Sequence, residues 1–267
     1  MPKVEVNGIR INYEIHGSGE PVVLIGGLGA DTFLWFCQVP ELSEHFQLIA
    51  FDNRGAGESD KPDEPYSIPM FAADTAGLMR ALDIDRAHVL GASLGGLIAQ
   101  EFALTYPSMV DRLVLVCTSF AGRQSVRPSL LTVLSILMAV RRSGNPEADT
   151  RRSFAVFTSR KWRQAHPDVI DRFVEWRVAH PQPPYAFKRQ RGSLKGFTTA
   201  DRVASIAAPT LIVHGDSDRV VPVANARLLA ERIPNSRLVI LEDSGHACSI
   251  DQADTFNRVV IDFLGGR

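Results

Sequence analysis

Apolar and polar positions follow two rhythms along this chain. Val4-Glu5-Val6 and Ile9-Arg10-Ile11-Asn12-Tyr13 alternate with a period of two on either side of Asn7-Gly8, which predicts an antiparallel hairpin closed by a tight turn. Apolar runs then recur at residues 21–25, 47–52, 87–90, 113–117, 210–213 and 237–241, short and continuous as in strands buried on both faces. Helical spacing fills the gaps at 34–45, 68–82, 97–106, 223–233 and 251–264. Ser67 stands where it can cap the second of these helices. Strands alternating with helices predict an α/β fold: a mostly parallel central sheet with helices on both faces.

The rhythm breaks after the sixth strand. From Gly122 to Gly196 the spacing predicts helices at 130–142, 149–158 and 168–179 and no strand, with Pro181-Gln182-Pro183-Pro184 as punctuation. Residues 1–121 and 197–267 are therefore expected to form one core, and 122–196 a helical cap inserted into it. Charge sharpens this division. The inserted stretch holds 15 Lys+Arg against 5 Asp+Glu, while the remainder holds 14 against 25. Its apolar residues (Leu130, Leu131, Leu134, Leu137 and Met138, then Phe154, Phe157, Ile170, Phe173 and Trp176) are expected mostly to pack the cap onto the core, with a few roofing an apolar cleft.

Composition excludes more than it selects. The chain has 267 residues, 45% apolar and 22% charged, with a net charge of −1, which suits a soluble globular protein and predicts neither nucleic-acid binding nor a membrane partner. The run Leu130–Val140 is too short for a membrane span. The N-terminal Pro2-Lys3-Val4-Glu5-Val6 has no basic and apolar leader, and Cys37, Cys117 and Cys248 are odd in number and widely spaced. Both features favour a cytoplasmic protein with reduced thiols, no disulfide framework, and no metal or other cofactor.

The chemistry centres on Gly91-Ala92-Ser93-Leu94-Gly95, set between a predicted strand and a predicted helix. Strand, sharp G-x-S-x-G turn and helix together form a nucleophile elbow that presents the Ser93 hydroxyl at its apex. A serine hydroxyl needs a base within hydrogen-bond reach and an acid to orient that base. Loops at the carboxyl ends of the other strands supply candidates. His246 follows the last strand and is the expected base, whereas His214 is expected to pack or cap its own turn. Asp216 and Asp218 share the loop after Val213; Asp218, 28 residues before His246, is preferred as the acid, and Asp216 as a turn cap. The loop Thr118-Ser119-Phe120 carries no carboxylate. An oxyanion would be held by the backbone amides of Leu94, at the start of the helix, and of Leu28, in the Gly26-Gly27-Leu28-Gly29 loop.

These stretches, with Asp52-Asn53-Arg54-Gly55-Ala56-Gly57-Glu58-Ser59, His214-Gly215-Asp216-Ser217-Asp218, Val221-Pro222 and Gly245-His246, resemble the α/β-hydrolase superfamily. The resemblance is to the branch of small carboxylesterases, 3-oxoadipate enol-lactonases and haloperoxidase-like esterases. It implies an α/β-hydrolase fold, Asp218 as the acid, and Arg54 as a brace. Gly26 departs from the histidine that many relatives carry. Ser93 separates the chain from relatives with an aspartate nucleophile. Ala247 and Cys248 stand where carbon–carbon bond hydrolases typically place a tryptophan after the histidine. Hydrolysis of a small ester or lactone is the leading expectation. An anionic enol-lactone drawn by the basic cap, or a carbon–carbon bond hydrolase or lyase using the same side chains, is the alternative. A non-enzymatic ligand-binding scaffold ranks below both.

Overall fold

The computed structural model describes residues 2–139 and 143–266. The hairpin joins β1 (Lys3–Val6) to β2 (Ile9–His16), and Asn7 and Gly8 take φ of 50° and 77°, the left-handed pair that a two-residue turn between twisted strands requires. There follow β3 (Pro21–Ile25), α1 (Val39–Leu42), β4 (Gln47–Phe51), α2 (Ile68–Ala81), β5 (Ala87–Ala92), α3 (Leu94–Thr105) and β6 (Val110–Val116). Between β6 and the next strand lie α4 (Leu130–Ala139), α5 (Pro146–Phe157), α6 (Arg160–Ala165), α7 (Pro167–Ala179) and α8 (Pro184–Gly192). The chain closes with β7 (Thr210–Gly215), α9 (Ala224–Arg232), β8 (Ser236–Leu241), α10 (Cys248–Asp251) and α11 (Ala253–Leu264).

All eight strands form one sheet in the order β1-β2-β4-β3-β5-β6-β7-β8. β2 pairs antiparallel with β1 and β4, and every pairing from β4 to β8 is parallel. Successive residues of a strand face opposite ways. Val23, Ile25, Val89 and Leu115 therefore pack with α2 and α3, while Val22, Leu24, Leu90, Val114 and Val213 pack with Trp35, Leu42 and the Phe256–Val260 face of α11. Both faces are covered, which is why the strands read as unbroken apolar runs. The parallel strands end along one edge of the sheet, and Gly26, Ser93, Cys117, Asp216 and Glu242 begin the loops there.

Several expectations shift. The helical spacing at 34–45 becomes a 3-10 turn, Thr32–Trp35, and the short α1, because Pro40 has no amide for a continuous helix and starts a new one. The last helix divides at Gln252 (φ −133°, ψ 46°), and the Asp251 carboxylate at that break accepts hydrogen bonds from the Gly245 and Ser159 amides. The helix expected over 130–142 is described to Ala139; Val140, Arg141 and Arg142 lie outside the described residues. Its leucines do not pack the core. Leu130 and Leu131 are 75% and 79% exposed, Leu134, Leu137 and Met138 also face outward, and the helix rests on its Thr132, Val133, Ser135 and Ile136 positions. Phe154, by contrast, is buried as expected, and Phe173 and Trp176 meet Phe33 with ring centroids 6.4 and 4.5 Å away. Neither α6 nor α8 shows in the hydrophobic pattern. Pro184 opens α8 at its first turn, where a missing amide costs nothing, and only Ala186 and Gln190 of that helix are buried.

The elbow depends on how closely α3 approaches the sheet. A methyl group at Gly95 would run into the carbonyl oxygens of Ile25 and Gly26, and one at Gly91 into the Gly95 carbonyl. Gly95→Ala is expected to lower the free energy of unfolding by about 1–3 kcal/mol or more, since backbone cannot yield as a side chain can. Denaturant unfolding checks this, and wild-type stability in the variant would contradict so close a contact.

Candidate active site

Ser93 sits between β5 and α3 with φ 55° and ψ −113°, a backbone geometry that L-residues rarely adopt. Two hydrogen bonds hold it there. The Ser93 amide donates to the Val116 carbonyl at 2.8 Å, and Thr118 Oγ1 donates to the Ser93 carbonyl at 2.8 Å. Strand β6 and the residues just after it thus fix the turn that β5 makes. The hydroxyl points to His246, with Ser93 Oγ 3.0 Å from His246 Nε2.

His246 lies in the loop after β8, and its Nδ1 is 2.7 Å from Asp218 Oδ2. A carboxylate only accepts, so Nδ1 carries the proton and Nε2 is left to accept from the serine hydroxyl. Asp218 has a fully buried side chain in the loop after β7, where four donors meet it. Oδ1 accepts from the Val220 and Val221 amides, both at 2.8 Å, and Oδ2 lies 3.2 Å from His214 Nε2 as well as against His246. Burial pushes the Asp218 carboxyl up, but His246 first, and then the hydrogen bond from His214, outweigh it and hold the group well below the usual carboxylate range. His214 packs its own turn, reaching the Val221 carbonyl at 2.8 Å, and it also touches Asp218. Asp216 accepts from the Ser244 amide at 3.2 Å and so ties the β7 loop to the β8 loop.

The loop after β3 passes beside Ser93. A methyl at Gly27 would lie 3.4 Å from Ser93 Cβ and 3.3 Å from the Ala92 carbonyl oxygen. Leu94 opens α3, so its amide has no helical carbonyl to meet. Among the described residues neither the Leu94 amide nor the Leu28 amide donates a hydrogen bond. Ser93, Asp218, His246 and Leu28 thus come from turns and loops at one edge of the sheet, and Leu94 from the first turn of α3 there. Arg54 is buried and pairs with Asp74 through Nε and Nη2 at 2.5 and 2.8 Å, which makes it a brace.

Other residues at the site carry no signature in the sequence. The Phe157 ring lies over His246 with centroids 5.8 Å apart, and its carbonyl accepts from the Ala247 amide at 2.7 Å. Asp251, through the Gly245 and Ser159 amides, ties the histidine loop to the turn between α5 and α6. Cys117 and Cys248, far apart in sequence, bring their sulfurs to 3.3 Å as free thiols. Cys117, His214 and Asp218 also place possible ligand atoms within 4.8 Å of one another. Both Asp218 oxygens there accept hydrogen bonds.

The depressed Asp218 carboxyl links stability to pH. Its ionised form is stabilised only in the folded protein, so its contribution is complete above the unfolded value of about 3.9 and is lost as pH falls toward the lower folded value. The stability gap between wild type and Asp218→Asn is expected to shrink as pH falls below about 4. Urea unfolding across that range reads it directly, and a gap indifferent to pH would mean that Asp218 is not held ionised by its neighbours.

Comparison with known proteins bears on this arrangement. The α/β-hydrolase fold family matches residues 20–253. The chain is 30% identical over 265 residues to RutD of Azorhizobium caulinodans, a protein named for carbamate hydrolysis, covering 99% of this chain and 98% of that one. It superposes on the enol-lactonase of Burkholderia xenovorans with a TM-score of 0.85 and 28% identity, over 99% and 100% of the two chains. It superposes equally on a meta-cleavage product hydrolase of Pseudomonas fluorescens, with a TM-score of 0.85 and 29% identity over 99% and 97%. With the family matched over most of its length and the sheet order and elbow in place, the chain belongs to the α/β-hydrolase family.

Proposed function

We propose that the protein is a serine hydrolase that cleaves a small carboxylic ester or lactone through an acyl-enzyme. The hydrogen-bonded line from Ser93 Oγ through His246 to Asp218, at 3.0 and 2.7 Å, carries this reading. Ser93 attacks the carbonyl carbon as His246 takes its proton, and Asp218 keeps the imidazole in the tautomer that can do so and steadies its positive form. The amides of Leu28 and Leu94 receive the developing oxyanion, a contribution of about 10²–10³ in rate per donor. His246 then protonates the leaving alkoxide. Water, activated by the same histidine, attacks the acyl-enzyme and restores Ser93. No step calls for a metal or other cofactor. Residues 122–196 act as the cap over this site, with Phe157 above the histidine.

Ester or lactone is favoured over a carbon–carbon bond because Ala247 and Cys248 follow His246. The structural neighbours include an enol-lactonase and, equally similar, a meta-cleavage product hydrolase, and the RutD relative adds a carbamate to the substrate panel. Part of the insertion's basic charge is met by carboxylates. Arg177 faces Asp31 at 3.6 Å, Arg189 faces Asp63 at 2.8 Å, Lys161 faces Asp243 at 2.9 Å, and Arg151 faces Asp171 at 2.6 Å, so these charges are already met.

Ser93→Ala is expected to fold normally and to lose about 10⁴-fold or more of ester turnover. A fluorophosphonate should add once to the wild type and not to the variant by intact mass. Retained turnover in clean variant protein would overturn the assignment. Turnover of a neutral short-chain ester and of an anionic lactone is expected to change in parallel between low and high salt; a salt-sensitive advantage for the lactone would show that the insertion does steer anions.

A further inference from the structure

The residues after β3 are gripped by the insertion through side chains that the reaction itself does not use. Gln190, fully buried on α8, accepts from the Gly29 amide at 2.9 Å through Oε1 and donates to the Arg54 carbonyl at 2.8 Å through Nε2. Arg177, near the end of α7, donates to the Gly29 carbonyl at 2.9 Å. Both polar groups of the Gly29 backbone are therefore held by the insertion. Two positions on, Asp31 accepts from Trp176 Nε1 at 3.1 Å and faces Arg177. Gln182 closes the arrangement, donating to the Gly55 carbonyl at 2.5 Å and reaching Gln190 Oε1 at 3.2 Å. The fit leaves no room. Gly29 has φ 71°, and a methyl there would lie 2.8 Å from Gln182 Oε1 and 3.1 Å from the Phe187 ring.

The core holds the same stretch at other points: Leu28 packs against the main apolar cluster, and the Thr32 amide donates to Asp52 Oδ1 at 2.8 Å. The Ala30 amide bonds the Gly27 carbonyl at 3.2 Å, Asn53 Nδ2 donates to the Gly26 carbonyl at 3.1 Å, and the Gly29 backbone finds no partner in the core among the described residues. The peptide that follows Leu28 is the one whose amide Gln190 holds, while the peptide that carries the Leu28 amide is tied through its Gly27 carbonyl to the Ala30 amide, so the insertion fixes one side of Leu28.

We propose that Gln190 and Arg177 are positioning residues for the oxyanion-binding amide of Leu28: the insertion, besides covering the site, fixes the geometry of the loop on which acyl transfer depends. This rests on the serine-hydrolase reading above. Catalytic donors must be in place before charge develops, and a shift of about 1 Å in such a group can cost 10²-fold. Because the oxyanion forms only in the transition state, freeing the loop lowers kcat and leaves substrate affinity nearly unchanged.

The test compares wild type, Gln190→Ala, Gln190→Glu and Arg177→Met in steady-state hydrolysis of a p-nitrophenyl ester and in the rate of Ser93 modification by a fluorophosphonate, with thermal unfolding alongside. Gln190→Ala is expected to lose about 10- to 100-fold in kcat and in modification rate at nearly constant KM. Gln190→Glu, which keeps the acceptor for the Gly29 amide, should recover part of both. Arg177→Met should lower kcat in the same way, and it carries the test if Gln190→Ala does not fold. Unchanged kcat and modification rate in folded variants would overturn the proposal, as would a loss that appears only in KM. A wild type that is neither active nor modified would overturn the serine-hydrolase reading itself, a result distinct from wild-type-like variants.

Discussion

A buried carboxylate must be surrounded by donors or give up its charge, and Asp218 obeys this constraint at every oxygen. Two backbone amides of its own loop, the fully buried His214 and His246 converge on it. Each bond also fixes a piece of the site. The amides wind the β7 loop tightly enough to bring Asp218 back over the sheet edge, His214 locks that loop to the strand, and His246 is drawn in from the β8 loop with its Nε2 toward Ser93. Remove the charge and the loop loses the reason for its shape.

The other half of the site is held by strain instead of charge. Ser93 takes a disfavoured backbone conformation that β6 and Thr118 stabilise by hydrogen bonds, and Gly91 and Gly95 let the helix come near enough to make the turn. A strained serine and a saturated carboxylate meet through one imidazole. Neither arrangement survives without the parallel sheet, which delivers the elbow and both partner loops to the same edge.

This division explains what could be read from the sequence. Runs such as Val22–Ile25 and Leu113–Val116 announce buried strands because each of their faces meets apolar neighbours, and Ser93 is legible because few residue types tolerate an elbow. His246 and Asp218 follow from their places after strands. Contacts across the chain leave no such trace. Gln190 meets Gly29 from 161 residues away, and Asp251 reaches Ser159 across 92, through residue types that serve equally well on any surface. Helix α8 is hidden for the same reason, since it faces polar groups more than apolar ones. The outward leucines of α4 defeat the opposite inference: apolar spacing says that a face exists, not what it meets.

The grip of the insertion on Gly29 and Asp31 has a consequence for how such proteins diversify. A segment joined to its host by two chain crossings looks like an exchangeable module, one that recombination could replace to change what the enzyme accepts. Here a transplanted segment would also have to supply an acceptor for one buried amide and a cation for the neighbouring carbonyl and carboxylate. Drift in substrate preference is then easiest by point changes on the insertion's other surfaces, with the residues that hold the loop inherited together as a set.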